Sequence, residues 1–357
     1  MNSQYFGEFM PFLVAGLVCA ILLKYLEPIA RDIGLVDRPT ERKRHKEETP
    51  LTGGIAITVG FYISLFIVPF GLGPFRSPLL AITLLMIIGV LDDHQDVRPL
   101  VKFGIQILAA IIIVGDGYVL VAIGDIFGWD DGNMQGLGRL AIPMTVVAIV
   151  GVINAYNFID GHDGLSASLL LISLVALVYI CSLYGVWKLQ YMLLLFGMPV
   201  LVFLLFNWPF QIFNRPTIFL GDAGSMVFGF FLVFILLSLI ERPVQVLKVT
   251  SCPWVIGLPV IDMVAVVARR LLNKSSPIKP DRTHIHHILT ELGMTKKMVL
   301  ATLIILHMTF VLIGISGTML DIPDWIMFWS MFPAAICYYF GVSHLLRKVI
   351  QTENFIK

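Results

Sequence analysis

Long apolar runs separated by short polar stretches occupy most of this chain, and the pattern predicts membrane-spanning helices. A spanning helix needs about 20 mostly apolar residues, because the hydrocarbon core of a bilayer is about 30 Å thick. We therefore predict an all-α, polytopic integral membrane helix bundle with roughly eleven transmembrane helices. Their predicted spans in chain order are about residues 9–27, 53–70, 78–91, 103–123, 140–155, 165–183, 190–207, 224–240, 252–270, 298–318 and 325–345, and a break near Gly115 is an alternative for the fourth.

The composition supports a membrane protein and excludes several other classes. Hydrophobic residues make up 57% of the 357 and charged residues only 14%, which is far from the balance of a soluble globular domain. A formal net charge of +1 predicts no bulk attraction to nucleic acid. No stretch separates as a soluble domain, so residues 1–357 are predicted to form a single membrane-embedded domain surrounded by lipid.

The Lys and Arg residues predict how the bundle is oriented in the membrane. Most of the 25 lie in three segments, residues 31–46, 269–297 and 347–357. Short cytoplasmic loops carry the excess of positive charge in membrane proteins. We therefore predict a periplasmic N-terminus and a cytoplasmic C-terminus.

Four polar segments interrupt the apolar pattern, and each follows an odd-numbered predicted helix. They are residues 92–102 after the third helix, 154–164 after the fifth, 207–225 after the seventh and 280–287 after the ninth. Counted from a periplasmic N-terminus, every odd-numbered helix ends at the cytoplasmic face. The four segments are therefore predicted to meet there, and polar groups beside apolar helices usually serve a ligand, an ion or each other.

The polar segments contain the oxygen ligands that a hard cation prefers. The candidate donors are Asp92, Asp93, Asp96, Asn157, Asp160, Asp163 and Asp222. Magnesium typically takes one or two protein carboxylates and completes its shell with water and substrate phosphates, so a cation that holds a diphosphate fits this set. Zinc is the rival metal, with His284, His286 and His287 as its ligands. The nearby Arg282 favours an anion-binding motif instead.

Simpler structural roles are open for several of these residues. Asp92 and Asp93 could form a helix end that faces water, although adjacent carboxylates repel each other unless a cation relieves them. Asp222 begins a predicted helix and could be its N-cap, a role compatible with phosphate binding nearby. Lys102 could bind phosphate or face anionic lipid. Residues 154–164 could be no more than a polar turn between helices.

A protein of another class, an ion-coupled transporter, would also have many helices and membrane-level carboxylates. Transporters place ionisable residues near the middle of the bilayer, and their two halves often repeat. Here the carboxylates lie at predicted helix ends, and the sequence shows no repeat. The pattern therefore favours an enzyme that works at the membrane surface.

Taken together, the four segments resemble the polyprenyl-phosphate N-acetylhexosamine-1-phosphate transferases. The matching motifs are Leu-Asp92-Asp93, Asn154-Ala-Tyr-Asn157-Phe-Ile-Asp160-Gly-His-Asp163-Gly, Phe219-Leu-Gly-Asp222-Ala-Gly-Ser and Pro280-Asp-Arg282-Thr-His284-Ile-His286-His287. They occur in family order across nearly the whole chain. The His-Ile-His-His form resembles the bacterial branch that primes cell-surface polysaccharides such as O-antigen. Ile285 departs from the three adjacent histidines of the peptidoglycan branch, which acts on UDP-MurNAc-pentapeptide.

The resemblance implies a reaction and its setting. UDP-GlcNAc and undecaprenyl phosphate would give undecaprenyl-diphospho-GlcNAc and UMP, with magnesium or manganese as the cofactor. Another UDP-sugar is the alternative donor. The implied location is a bacterial inner membrane with the active site facing the cytoplasm, and a homodimer is one option for the assembly.

The same resemblance implies roles for individual residues. The metal ligands would be Asp222 and Asn157. The catalytic carboxylates would be Asp92, Asp93, Asp160 and Asp163, the last two with contacts to the nucleotide. The substrate-binding residues would be Lys102 for the lipid phosphate, Phe219 for uracil, and Arg282, His284, His286 and His287 for the sugar or diphosphate. Asp93 would be either a base during direct attack by the lipid phosphate or a nucleophile in a covalent route, and the sequence favours neither.

Overall fold

The computed structural model describes residues 3–38, 48–129, 134–208, 218–240, 246–276 and 283–356, and nearly all of their regular structure is helical. The predicted all-α class is therefore confirmed. The α-helices of these residues are α1 (Ser3–Ile33), α2 (Gly53–Leu65), α3 (Arg76–Gln95), α4 (Pro99–Gly115), α5 (Ala141–Ile159), α6 (Leu165–Leu183), α7 (Trp187–Asn207), α8 (Gly221–Ile240), α9 (Cys252–Leu272), α10 (Ile285–Glu291), α11 (Lys296–Met319) and α12 (Asp324–Ile356). Two short antiparallel strands, β1 (Val36–Asp37) and β2 (Thr49–Pro50), pair between α1 and α2.

Each of the eleven predicted spans corresponds to a helix, but the structure does not confirm that all eleven cross the membrane. Nine helices of the described ranges are long and apolar enough to cross a membrane, whereas α2 and α4 have only 13 and 17 residues. α2 ends at Leu65, four residues before Pro69, whose ring would clash with the Leu65 carbonyl in a continued helix. α4 ends at Gly115, and Gly117 follows with a φ of +100°. The prediction also missed α10, whose seven residues are too few to show a hydrophobic pattern.

α8 lies at the centre of the bundle. Nearly all of its residues are buried, and α2, α3 and α5 pack around it. Small residues allow these close crossings: a Cβ added to Gly54 would overlap the backbone of Gly224, and one added to Gly89 would overlap the backbone of Ala223. Small residues at helix crossings are typical of membrane bundles. The first turn of α8 is therefore held tightly against α2 and α3.

α9 is bent at Gly257, whose φ of +21° and ψ of −103° are not helical. Pro259 has no amide hydrogen, so the carbonyl of Val255 loses its usual partner within the helix. The hydroxyl of Ser173 on α6 donates to that carbonyl at 2.8 Å, and His307 Nε2 on α11 lies 3.0 Å from the same hydroxyl. Two neighbouring helices therefore support the bend.

Candidate active site

A cavity of about 1190 Å³ opens at one end of the bundle. Its wall is built from β1 and Leu51, the last residues of α3 and α7, the turn after α5, the first residues of α8, and α10 with the start of α11. The predicted site residues that line it are Asp92, Asp93, Asp160, Asp163, Phe219, Asp222, His286 and His287. Segments far apart in sequence therefore share one site. Arg282 lies outside the described residues.

Lys102 links two of the acidic segments. Its ammonium nitrogen lies 2.7 Å from Asp92 Oδ2 and 2.7 Å from Asp222 Oδ2. Lys102 is in the first turn of α4, which begins at Pro99, so its side chain can reach both the end of α3 and the start of α8. Like charges held close together are costly unless a cation lies between them. Lys102 supplies that cation in this arrangement.

Asp93 holds the N-terminus of α8. Its Oδ1 accepts a hydrogen bond from the Asp222 amide at 2.9 Å, and its Oδ2 accepts one from the Ala223 amide at 3.4 Å. A helix N-terminus has unpaired N–H groups and a partial positive charge, which both stabilise an anion. Gly221 permits the approach, since its φ is +76° and an added Cβ would lie 2.5 Å from Asp93 Oδ2. Asp93 therefore fills the capping role that the sequence suggested for Asp222.

Asn157, near the end of α5, lies beside Asp222. Its Nδ2 donates to Ser225 Oγ at 3.0 Å, and its amide also reaches the Asp222 carboxylate. The amide oxygen, Oδ1, is the atom that could bind a cation. Within the described ranges, no three His, Cys, Asp or Glu side chains are grouped so as to enclose a metal. Asp222 and Asn157 still fit magnesium, which commonly takes few protein ligands and adds water and substrate phosphates.

Asp160 lies among three other carboxylates of the site, Asp93, Asp163 and Asp222. Burial raises the pKa of its carboxyl group well above the usual value, and the charges of Asp222, Asp93 and Asp163 raise it further. A carboxyl group in these surroundings is readily neutralised by a proton or by a cation. The cavity therefore favours added positive charge beyond what Lys102 supplies.

The turn formed by residues 160–164 is anchored to two neighbouring parts of the chain. Asp163 Oδ2 accepts a hydrogen bond from Lys296 Nζ of α11 at 2.7 Å. The amide of Gly164 donates to Asn207 Oδ1 at 2.6 Å, and Asn207 Nδ2 donates to the carbonyl of Ile218 at 2.6 Å. Asn207 thus ties the turn after α5 to the segment that leads into α8.

Phe219 forms an aromatic part of the cavity wall, and its backbone is held on both sides. Its amide donates to the carbonyl of Pro50 at 2.9 Å, and its carbonyl accepts from the amide of Gly53 at 3.0 Å. The ring is half-buried. Its position therefore depends on the start of α2 as well as on α8.

The three motif histidines divide between the cavity and the protein interior. His286 and His287 line the cavity, with ring centroids 4.1 Å apart. Burial lowers the pKa of His286 well below the usual value, and the neighbouring histidines add to the shift, so its ring is neutral near pH 7. His284 does not line the cavity, and its Nδ1 lies 2.7 Å from Asp262 Oδ2 of α9. Sequence reasoning missed Asp262, although a single carboxylate inside an apolar span is itself a signal of a paired, functional group.

Comparison with known proteins gives consistent matches across the chain. Residues 75–240, which run from the start of α3 to the end of α8, match the model of glycosyl transferase family 4. The chain is 32% identical over 334 residues to the undecaprenyl-phosphate alpha-N-acetylglucosaminyl 1-phosphate transferase of Yersinia pestis, covering 92% of this chain and 88% of that protein. It is 30% identical over 344 residues to the Escherichia coli K12 protein with the same name, with coverages of 96% and 91%. The Haemophilus influenzae protein of that name is 32% identical over 346 residues, with coverages of 95% and 94%.

Proposed function

The chain belongs to glycosyl transferase family 4, and we propose that it transfers N-acetylglucosamine-1-phosphate from UDP-GlcNAc to undecaprenyl phosphate, giving undecaprenyl-diphospho-GlcNAc and UMP. The names of relatives that match over almost their full length support this reaction. The observation that carries the proposal is the convergence of the polar segments on one cavity of about 1190 Å³. That volume suits a nucleotide sugar together with a lipid phosphate headgroup.

The proposed cofactor is magnesium, with manganese as the alternative. Asp222 and Asn157 would hold the cation, since the Asn157 side chain near the end of α5 lies within hydrogen-bond reach of the Asp222 carboxylate. When bound, the cation supplies neutralising charge for the diphosphate of UDP-GlcNAc and for the departing UMP. Lys102 contacts the same Asp222 carboxylate and is therefore placed to hold a second phosphate beside the first.

In the proposed mechanism the lipid phosphate attacks directly. Its oxygen forms a bond to the phosphorus that carries GlcNAc, and the bond from that phosphorus to the oxygen of UMP breaks. A phosphate monoester is already largely ionised near pH 7, so it needs little help from a base. Both oxygens of Asp93 accept hydrogen bonds from the α8 backbone, which weakens Asp93 as a nucleophile. This arrangement supports direct attack over a covalent intermediate, because direct attack leaves those hydrogen bonds intact.

The remaining residues are assigned by their positions on the cavity wall. Phe219 would stack on the uracil ring, and Asp160 and Asp163 would contact the nucleotide. His286 and His287 would bind the sugar or its diphosphate through ring nitrogens. In this scheme the protein lowers the barrier mainly by positioning the two substrates and stabilising charge, as is usual in phosphoryl transfer.

We further propose that the site faces the cytoplasm of a bacterial inner membrane. The segments rich in Lys and Arg lie at the predicted cytoplasmic ends of the helices, as the positive-inside rule requires. The apolar helices of the described ranges support a multi-pass membrane protein, and the relatives are bacterial. A soluble nucleotide sugar and a membrane-anchored lipid phosphate can meet at such a surface site.

The reaction can be tested directly with purified protein in detergent. The protein is incubated with undecaprenyl phosphate, magnesium and UDP-GlcNAc, and UMP and the lipid product are measured by mass spectrometry. UMP together with undecaprenyl-diphospho-GlcNAc is the expected result. Release of UMP only from another UDP-sugar would keep the mechanism and change the donor. If no UDP-sugar gives UMP and the folded protein moves a solute into proteoliposomes, the transporter alternative replaces the enzyme.

A further inference from the structure

A buried carboxylate lies within α9, away from the predicted motifs. The side chain of Asp262 is 1% exposed, although α9 belongs to the apolar helices that can cross a membrane. An ionised group at such a position is costly unless nearby polar groups satisfy it. Asp262 is therefore a candidate functional residue whose partners need to be identified.

Three groups on two other elements converge on this carboxylate. The amide of Ile285 and the hydroxyl of Tyr338 donate to Oδ1 at 3.2 Å and 2.8 Å. His284 Nδ1 lies 2.7 Å from Oδ2. Ile285 begins α10 and Tyr338 lies on α12, so Asp262 connects α9 with both. Each oxygen of the carboxylate therefore has at least one hydrogen-bond partner.

These contacts decide which nitrogen of His284 carries a proton. An ionised carboxylate can only accept hydrogen bonds, so Nδ1 of His284 must be the donor. The ring cannot easily turn away, because it packs against Phe158 at 5.8 Å and lies nearly parallel to His286 at 6.0 Å between centroids. Burial of the ring and the Asp262 bond therefore hold His284 in one orientation and one tautomer.

A second contact from α9 holds the same segment. Arg269 lies seven residues after Asp262 and donates through a terminal guanidinium nitrogen to the carbonyl of Thr283 at 2.7 Å. α9 therefore contacts Thr283, His284 and the amide of Ile285 in succession. This segment leads into α10, and the ring of the next motif histidine lines the cavity. The position of α10 depends on both contacts.

From this geometry we propose that Asp262 is a positioning residue for the transfer reaction. Its carboxylate holds His284 with Nδ1 protonated and keeps the first turn of α10 against α9, which places His286 in the cavity wall. The proposal rests on the proposed function and adds to it a residue that lies outside the sequence motifs. Carboxylates that orient a histidine in this way affect activity without touching substrate.

The first test is Asp262→Asn, which keeps the size of the side chain and one oxygen acceptor. The new amide nitrogen can face His284 Nδ1 and donate a hydrogen bond to it. The proton of the His284 ring must then be on Nε2 instead of Nδ1. We expect kcat for UMP release to fall about 10- to 100-fold, with the KM for UDP-GlcNAc nearly unchanged.

Tyr338→Phe keeps the other two hydrogen bonds to Asp262 and is expected to lower kcat only about fivefold. Tyr62→Phe is the matched control, because it also removes a tyrosine hydrogen bond, here to the Leu79 carbonyl at 2.6 Å.

The decisive test combines Asp262→Asn with His284→Gln. If Asp262 acts through His284, the double variant is little slower than His284→Gln alone. A purely structural role would lower kcat by the same factor in both backgrounds and would overturn the proposal. A wild-type kcat for Asp262→Asn would also overturn the proposal. If Asp262→Asn does not fold, Tyr338→Phe takes its place, and the double variant with His284→Gln is compared with the two single variants in the same way. Lack of UMP release by the wild-type protein with every UDP-sugar would refute the proposed function itself.

Discussion

The substitution Gly161→Ala tests how closely the turn after α5 fits against the histidine motif. A Cβ added to Gly161 would overlap the ring of His286, with Cε1 and Cδ2 at 3.0 Å and 3.1 Å and Nε2 closer still. Carbon atoms in favourable contact lie about 3.5–4.0 Å apart. The ring or the turn would therefore have to move by roughly 1 Å to accept the methyl group.

The surroundings leave little room for that movement. His286 is 2% exposed, and its ring packs between those of His284 and His287. A misplacement of about 1 Å in an active site can lower the rate about 100-fold, which corresponds to about 2.7 kcal/mol in the barrier. Overpacking of this kind costs about 1–3 kcal/mol of stability. We expect Gly161→Ala to stay folded and to lose about 99% of its activity.

The assay compares initial rates of UMP release with thermal unfolding in the same detergent. Gly151→Ala is the matched control, because Gly151 lies on the preceding helix α5 and an added Cβ meets nothing within 4 Å. Alanine is favoured over glycine within a helix by about 1 kcal/mol. The control should therefore keep wild-type activity and a Tm at least as high as the wild type. A kcat within about twofold of wild type for folded Gly161→Ala would refute the argument, because it would show that this fit does not control the site.

Further outcomes are expected from other changes at the site and in the bundle. Asp222→Ala removes a proposed cation ligand and abolishes UMP release. Asp93→Asn places a side-chain N–H against a backbone N–H at the start of α8, which displaces Asp222 and also abolishes UMP release. Unfolding of both variants in detergent stays cooperative, and wild-type turnover by either purified variant would remove its assignment. Lys102→Met removes the ammonium group proposed to hold the lipid phosphate. Loss of one charge-assisted hydrogen bond to that phosphate costs about 1.5–3 kcal/mol, so kcat/KM for undecaprenyl phosphate falls about 10- to 150-fold; an unchanged value would mean that Lys102 does not hold the lipid phosphate. EDTA stops UMP release and added magnesium or manganese restores it, whereas turnover that survives complete chelation would contradict a cation at the cavity. Ser173→Ala leaves the Val255 carbonyl without its donor, so the free energy of unfolding falls by about 1–3 kcal/mol and the Tm is lower. An unchanged Tm would show that the bend in α9 does not need this hydrogen bond.

Local sequence patterns were sufficient to predict much of the fold and part of the site. The apolar runs predicted a helix at each of eleven positions, because hydrophobic length along the chain is a local property. The order of polar segments after alternate helices predicted that they would meet at one end. The cavity wall bears this out for the segments around Asp93, Asp160, Asp222 and His286.

Contacts between helices were decided only by the tertiary structure. Asp93 rather than a residue of α8 caps that helix, because the close crossing of α3 and α8 brings the carboxylate to the free amides. His284 is not in the cavity wall, since its Nδ1 is hydrogen-bonded to Asp262 of α9 and its ring packs against Phe158 of α5. Hydropathy shows that residues belong in apolar helices, but it does not specify which faces of those helices touch. The sequence by itself therefore determined which segments form the bundle and carry the chemistry, and side-chain packing between helices decided which atoms meet.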